Sequence, residues 1–444
     1  MLEQNGKVIR GAFRPGGAGQ EWVDAAVLRR LKRRSLAVLR REIEAVEQAA
    51  LGRFLPGWQA VGRTGRRHIA ALLEVVRLLQ GAPLPASILE RDVLASRLDY
   101  TPGMLDQLMA SGEVVWIGHA PIGPRDGRVA LYLREQLPIL HRPGGQEQPQ
   151  SAVHDSIRSH LSQRGASFFR DIHMAAGVAG LEDTLEALWD LVWSGEVTND
   201  TLAPLRALGM RKVRRRSGRL RPHMPSAMPP SSSGRWSLVA DLCSPPVTDA
   251  EWAAAWAELL LERHGVLTRA GALAENVPGG LTTLYPVLNH LEETGRIRRG
   301  YFVEGLGGLQ FALPGAIDRL RTTERTGGVV ILAAADPANP YGTLLPWPEP
   351  ADGRASRSAG AYVTLHDGNP LVFLERGGKR AVLLTSDPGL HEAAATALME
   401  IGLRNPRLTI ETIDGQPATD HALGSALLES GFAVSLRGLA YRGH

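Results

Sequence analysis

Two short stretches hold the residue types that could do chemistry. The first is Phe54-Leu-Pro-Gly-Trp58-Gln59. The second is Asp336-Pro-Ala-Asn-Pro-Tyr341-Gly342, with Pro346-Trp347-Pro348 just behind it. A carboxylate fixed among prolines, with aromatic faces nearby, suits a pocket for a planar base. In that reading Trp58, Tyr341 and Trp347 stack, Asp336 polarises a water or stabilises a cationic sugar, and Gln59 donates to a departing anion. The same residues also suit structural work: Asp336 can cap the backbone N–H groups of a turn, and Trp58 with Gln59 can plug a core.

Other chemistries are excluded more firmly. Gly6-Lys7 is followed by Val and Gly378-Lys379 by Arg, so no Gly-x4-Gly-Lys-Ser/Thr loop cradles a nucleotide phosphate. There is no His-Glu-x-x-His helix, no Gly-x-Ser-x-Gly elbow and no His/Cys cluster at zinc spacing. A chain of 444 residues with one cysteine, Cys243, has no disulfide framework. The expectation is therefore no metal and no cofactor. The best apolar run, Val329 to Ala335, is far below the ~20 residues of a membrane-crossing helix. With no signal pattern at Met1 to Lys7, a cytoplasmic location is expected.

The cations say more. Of 50 basic residues only Lys7, Lys32, Lys212 and Lys379 are lysine, and the rest are arginine, whose planar fork matches phosphates and guanine edges. A GC-rich genome gives the same bias, so placement matters more than number. Arg29, Arg30, Arg33 and Arg34 cluster early. Arg211, Arg214, Arg215 and Arg216 lie in a stretch, Thr201 to Ala240, with no acidic residue before Ala240. A third group, Arg296, Arg298 and Arg299, precedes an aromatic pair, Tyr301-Phe302. These are the expected phosphate contacts.

The elements that position these residues repeat. Leu105-x-x-Leu108-x-x-x-Gly112, Leu188-x-x-Leu191-x-x-x-Gly195 and Leu288-x-x-Leu291-x-x-x-Gly295 each end in a short strand. Two leucines three apart bury one helix face, and the glycine closes the helix in the left-handed conformation. With two helical stretches upstream (67–80 and 86–97 for the first copy) and a hairpin downstream, each is a winged helix. The second copy shows no clear return strand after Val197. The spacing also predicts one long helix from Glu21 to Ala50, with Pro56 stopping any continuation. After Leu313, short apolar runs separated by Asp367-Gly368-Asn-Pro and Arg376-Gly-Gly-Lys379 predict a small β-sheet or barrel with flanking helices.

The chain thus reads as α+β: a basic helical segment at 1–65, winged helices at 66–140, 151–205 and 236–322, a basic Pro/Ser-rich linker at 206–235, and a β-barrel-like domain at 323–444.

Longer strings carry a resemblance. Gly11-Ala-Phe-Arg-Pro-Gly-Gly, Leu28-Arg-Arg-Leu-Lys-Arg-Arg-Ser-Leu-Ala, Phe54-Leu-Pro-Gly-Trp-Gln, Leu84-Pro-Ala-Ser-Ile-Leu-Glu-Arg-Asp, Gly195-Glu-Val-Thr-Asn-Asp-Thr-Leu-Ala-Pro-Leu-Arg and Tyr301-Phe-Val-Glu-Gly-Leu-Gly-Gly-Leu-Gln-Phe-Ala-Leu-Pro-Gly resemble the C-terminal region of the large helicase-related (Lhr) family. In that family a superfamily-2 helicase core precedes this region, so the resemblance implies a truncated piece or a separately encoded module. It further implies a layout similar to the AlkZ/AlkX-type DNA glycosylases, tandem winged helices with a β-barrel. Some Lhr members are associated with uracil–DNA glycosylase activity. The Gln-x-Gln or Gln-x-Asp motif of the AlkZ type has Gln59-Ala-Val61 as its local counterpart, with Val61 at the second polar position. The expected partner is DNA, single-stranded or damaged duplex. A helicase core in trans and a second copy of the chain are further expected partners, and no membrane is. Two functions stay open: a monofunctional glycosylase removing uracil or another damaged base, and a non-catalytic DNA-binding or oligomerisation module assisting a helicase.

Overall fold

The computed structural model describes residues 7–11, 13, 20–31, 44–63, 65–142, 148–178, 180–209, 228–349 and 353–442. Strands β1 (Val8–Gly11) and β2 (Glu21–Asp24) pair antiparallel, and a helix follows over 25–31. The long helix expected from Glu21 is therefore not continuous: 21–24 is extended, and so is the chain at 44–47. The Glu-Trp-Val-Asp start satisfies strand alternation as well as helical spacing, and its pairing with β1 decides. Helix α1 (Gln48–Trp58) then runs through Pro56 instead of stopping before it.

The first winged helix comprises α2 (Ile69–Leu79), strand β3 (Leu84–Pro85), a short helix Ala86–Ile88 continued by a π-helical stretch Leu89–Leu94, α3 (Pro102–Ala110), and the hairpin β4 (Val114–Pro121) and β5 (Gly127–Leu133). The three strands order β3-β5-β4. Its core merges with that of the second unit, built from α4 (Ala152–Arg164), β6 (Ser167–Phe168), α5 (Phe169–Ala176), α6 (Leu181–Trp193), β7 (Val197–Asn199) and β8 (Arg235–Leu238). Here the structure corrects the sequence reading. The return strand exists, but it lies beyond the basic linker: β8 pairs with β7 through Val197↔Leu238 and with β6 through Ser167↔Trp236. The two units meet so closely that a Cβ on Gly118 would fall 2.2 Å from the carbonyl oxygen of Val192.

The third unit has α7 (Asp249–His264), β9 (Val266–Leu267), α8 (Arg269–Ala274), α9 (Leu281–Glu293), β10 (Arg298–Gly300) and β11 (Gln310–Ala312). A capping box between Thr248 and Glu251 starts α7. The glycines that close the third helices, Gly112, Gly195 and Gly295, have φ of 78°, 79° and 78°. All three copies thus end as the leucine–glycine pattern requires.

Helix α10 (Pro314–Thr322) leads into the C-terminal unit. Strands β12 (Val329–Ala333), β13 (Tyr362–His366), β14 (Asn369–Leu374) and β15 (Arg380–Leu383) form an antiparallel run. The chain continues through α11 (His391–Arg404), β16 (Thr409–Ile410), β17 (Thr412–Ile413), β18 (Gln416–Pro417), α12 (Ala422–Glu429), β19 (Phe432–Ser435) and β20 (Gly438–Tyr441). Strands β17 and β18 extend the sheet to the order β12-β13-β14-β15-β17-β18, while β16, β20 and β19 form a second small sheet. Among the described residues no barrel closes, because β12 and β18 stand at opposite edges of the sheet. The turn Asp367-Gly368 has φ of 46° and 83°, as a tight two-residue hairpin demands. Helix α1 lies directly on it: a Cβ on Gly52 would meet the Gly368 carbonyl oxygen at 2.0 Å. Through this contact α1 joins the C-terminal sheet to the winged helices.

Candidate functional site

The two stretches singled out in the sequence converge on one residue that the sequence reading missed. Arg97, fully buried after the π-helical stretch, grips Asp336 with both terminal nitrogens, Nη2 to Oδ1 at 2.7 Å and Nη1 to Oδ2 at 2.8 Å. Its Nη2 also donates to Gln59 Oε1 at 3.0 Å, and Nη1 to the Val93 carbonyl at 2.8 Å. Gln59 in turn donates to the carbonyls of Arg263 (3.1 Å) and Pro337 (3.3 Å). Asp336 Oδ1 accepts the Ala338 N–H at 2.8 Å. Arg357 closes the loop from behind, donating to the carbonyls of Asp336 and Asn339 at 2.9 and 2.7 Å. Burial pushes the Arg357 guanidinium down to about 10, against the pull of the Asp336 charge. The joint therefore ties α1, the first and third winged helices and the C-terminal unit together. Asp336 is fully buried, its carboxylate oxygens occupied by Arg97 and the Ala338 N–H.

The three aromatic residues do not gather around Asp336 as a base pocket. Trp58 donates from Nε1 to the Glu262 carbonyl at 2.6 Å and lies under the Arg319 guanidinium. Tyr341 donates its hydroxyl to the Gly368 carbonyl at 2.8 Å, and Trp347 packs between Tyr341 and Phe373. All three belong to the core between α1, the third unit and the sheet. None of them lines any of the clefts described here.

Open space lies on the other side of the joint. A cleft of about 520 Å³ runs beside the Asp336 segment and is lined by Arg128, His264, Glu275, Asn276, Pro337 and Arg357 among others. A second, of about 700 Å³, lies where the three winged helices meet. Glu275 edges both. Burial opposes its charge, but Arg263 and His264, both bonded to its carboxylate, hold it ionised down to about 2.

Charge separates two of the third helices, α6 and α9, as DNA-facing surfaces. On α6, Glu182, Asp183, Glu186 and Asp190 are exposed, a face that repels phosphate. The exposed positions of α9 are Thr282, Thr283, Pro286 and His290 on its first three turns. Beside them the wing exposes Arg298, for which no ion pair with a described residue is found, and Tyr301, 59% exposed. Arg296 is exposed but paired with Glu258 at 3.0 Å. Arg299 is half-buried and bonded to Tyr285 Oη at 2.9 Å, a clasp between wing and helix. Arg29 and Arg30 are exposed on the helix at 25–31. Arg33, Arg34, Arg211, Arg214, Arg215 and Arg216 lie outside the described residues.

Comparison with known proteins agrees with this layout. Models of the third and fourth winged-helix domains of the large helicase-related protein match residues 46–134 and 246–329. A Mycolicibacterium smegmatis protein named "Lhr helicase/ probable uracil glycosylase" is 42% identical over 99% of this chain, and the Escherichia coli "Lhr helicase/uracil glycosylase" is 36% identical over 94%. The chain thus carries two winged-helix domains of the Lhr type and is similar to Lhr proteins over nearly its whole length. It spans 31% and 30% of the length of those two relatives. Among solved structures, the Streptomyces sahachiroi DNA glycosylase AlkZ aligns over 84% of this chain and 99% of its own, at 13% identity and a TM-score of 0.47. The Lhr winged-helix models cover the first and third units seen here; the second lies between them. Among the described residues no helix is long and apolar enough to cross a membrane.

Proposed function

We propose that this chain is the part of an Lhr-type protein that grips DNA and removes uracil or another damaged base from it. The observation that carries the reading is the 42% identity, across 99% of the chain, with a relative named as a probable uracil glycosylase. Base removal would break the bond between C1′ and the base nitrogen, the electron pair leaving on the base. A water oxygen would bond to C1′ and give its proton to solvent or a carboxylate. The sequence reading places that carboxylate at Asp336, which requires Arg97 to swing away when DNA is bound. Glu275 is the ionised carboxylate that already lines the clefts.

The closed state of Asp336 and Gln59 favours a second reading, in which the chain holds DNA for a helicase core and does no chemistry. Release of free uracil from single-stranded DNA by the purified chain separates the two: release supports the first, tight DNA binding without release the second.

DNA grip has its own test. Arg298→Ala is expected to weaken binding about equally across sequences and to lower the salt slope by about one, while Arg296→Ala, whose partner is Glu258, changes the slope less. Fluorescence anisotropy across a salt series measures both. An unchanged slope in Arg298→Ala would remove the third wing from the DNA path.

A further inference from the structure

The two clefts share Pro83, Arg128, Glu275 and Asn276 in their linings, so they are parts of one crevice that runs from the meeting point of the three winged helices to the Asp336 segment. We propose that this crevice receives a single unstacked nucleotide of the DNA strand, with Asn276 reading the base edge and Arg128 holding the adjoining phosphate. The proposal rests on the base-removal reading for the identity of its ligand, and on the following observations for its place.

Each cleft is of a size that holds a small ligand. The larger one is lined in part by Tyr132, Trp252 and Trp256, which are otherwise buried in the core, with the Arg142 guanidinium 4.5 Å over the Trp252 ring. It is also lined by His141, which burial lowers to about 4, so the imidazole stays neutral at ordinary pH and can both donate and accept. This part of the lining suits an uncharged heterocycle, and Arg128, Arg142, Arg158, Glu196 and Glu275 supply the charged remainder. Arg128 is exposed, and the hydrogen bond found for its side chain is a long one, 3.5 Å to the Pro83 carbonyl, which leaves its fork available to a phosphate oxygen. Glu275 lines both clefts beside Arg128, but its carboxylate is taken up by Arg263 and His264, which leaves the Arg128 fork to the phosphate.

Asn276 stands where the two clefts join. Its φ of 54° places it in the left-handed region. Asparagine tolerates that conformation at a helix end, so the backbone alone has a structural explanation. The side chain does not: no hydrogen bond from its amide to another described residue is found, and it is exposed. An amide with one acceptor and one donor edge pairs with the adjacent carbonyl and N–H of a uracil ring.

The probe is a single-stranded oligonucleotide carrying one 5-iododeoxyuridine, irradiated on the full chain and followed by peptide mass spectrometry. Adducts are expected on Tyr132, Trp252 or Trp256. Asn276→Gly keeps the backbone unstrained and removes the amide. It is expected to cut the adduct yield about five-fold, the equivalent of one hydrogen bond, with overall DNA affinity little changed. Adducts confined to other residues, no adduct from a tightly bound probe, or an unchanged yield in Asn276→Gly would overturn the proposal. Adducts here from a chain that releases no base would remove the base-removal reading and keep the site. Base release with adducts only elsewhere would do the reverse.

Discussion

Replacing Arg97 by alanine is expected to destabilise the chain by about 3–5 kcal/mol, the cost of stripping a buried ion of its partner. Asp336 would be left without its counter-ion, 1% exposed at its side chain, with one backbone N–H as its remaining donor. Gln59 would lose the donor to its Oε1 as well. Because the pair joins the first winged helix to the C-terminal unit across 239 residues of sequence, the loss should fall on the joint between units. In urea unfolding it should appear as an early separate transition, not a uniform shift. Replacing both partners by apolar residues of similar size, Arg97→Met with Asp336→Leu, should recover most of the loss. A single substitution costing less than about 1 kcal/mol would show the joint to be hydrated and Asp336 within reach of water.

The second large effect concerns the strand that returns across the linker. Trp236→Ala is expected to cost about 3–5 kcal/mol, the usual range for emptying a tryptophan site in a core. Trp236 is fully buried, its ring lies edge-on to Trp189 at 5.8 Å, and its Nε1 donates to the Ser232 carbonyl at 3.2 Å. Thermal or urea unfolding followed by tryptophan fluorescence reads the change. Near-neutral behaviour would mean that β8 does not belong to the second winged helix.

Much of the architecture was legible because local physics decides it. A leucine pair and a glycine with positive φ end each third helix, and a reader of the sequence needs nothing more to find Gly112, Gly195 and Gly295. The return strand of the second unit was not legible, because its pairing partner Val197 is separated from Leu238 by the basic linker and no local pattern reports so distant a register. Barrel closure failed for the same reason: whether β12 meets β18 depends on segments far apart in the chain.

At the site, Gln59 and Asp336 were picked from their surroundings and do meet, but through Arg97. The available signal was an arginine set between Leu94 and Leu98, both buried, where a cation needs a partner. The aromatic residues misled because ring type says nothing of which face of an element it occupies. Trp58, Tyr341 and Trp347 pack against one core, and Tyr132, Trp252 and Trp256, buried in another, reach the larger cleft. The basic groups divided likewise: Arg298 is exposed, and Arg299 is spent on Tyr285.

The measurement that bears most directly on the account is strand cleavage at uracil. An end-labelled single strand holding one uracil, and its thymine counterpart, are incubated with the purified chain and then heated in alkali. The account predicts a break at the uracil position alone; Glu275→Gln and Asp336→Asn each break a buried ion pair, so loss of cleavage assigns the carboxylate only in a variant whose circular dichroism and DNA affinity match the parent chain. An intact uracil strand at excess protein, with the same DNA tightly bound, would contradict it and leave a DNA-holding module.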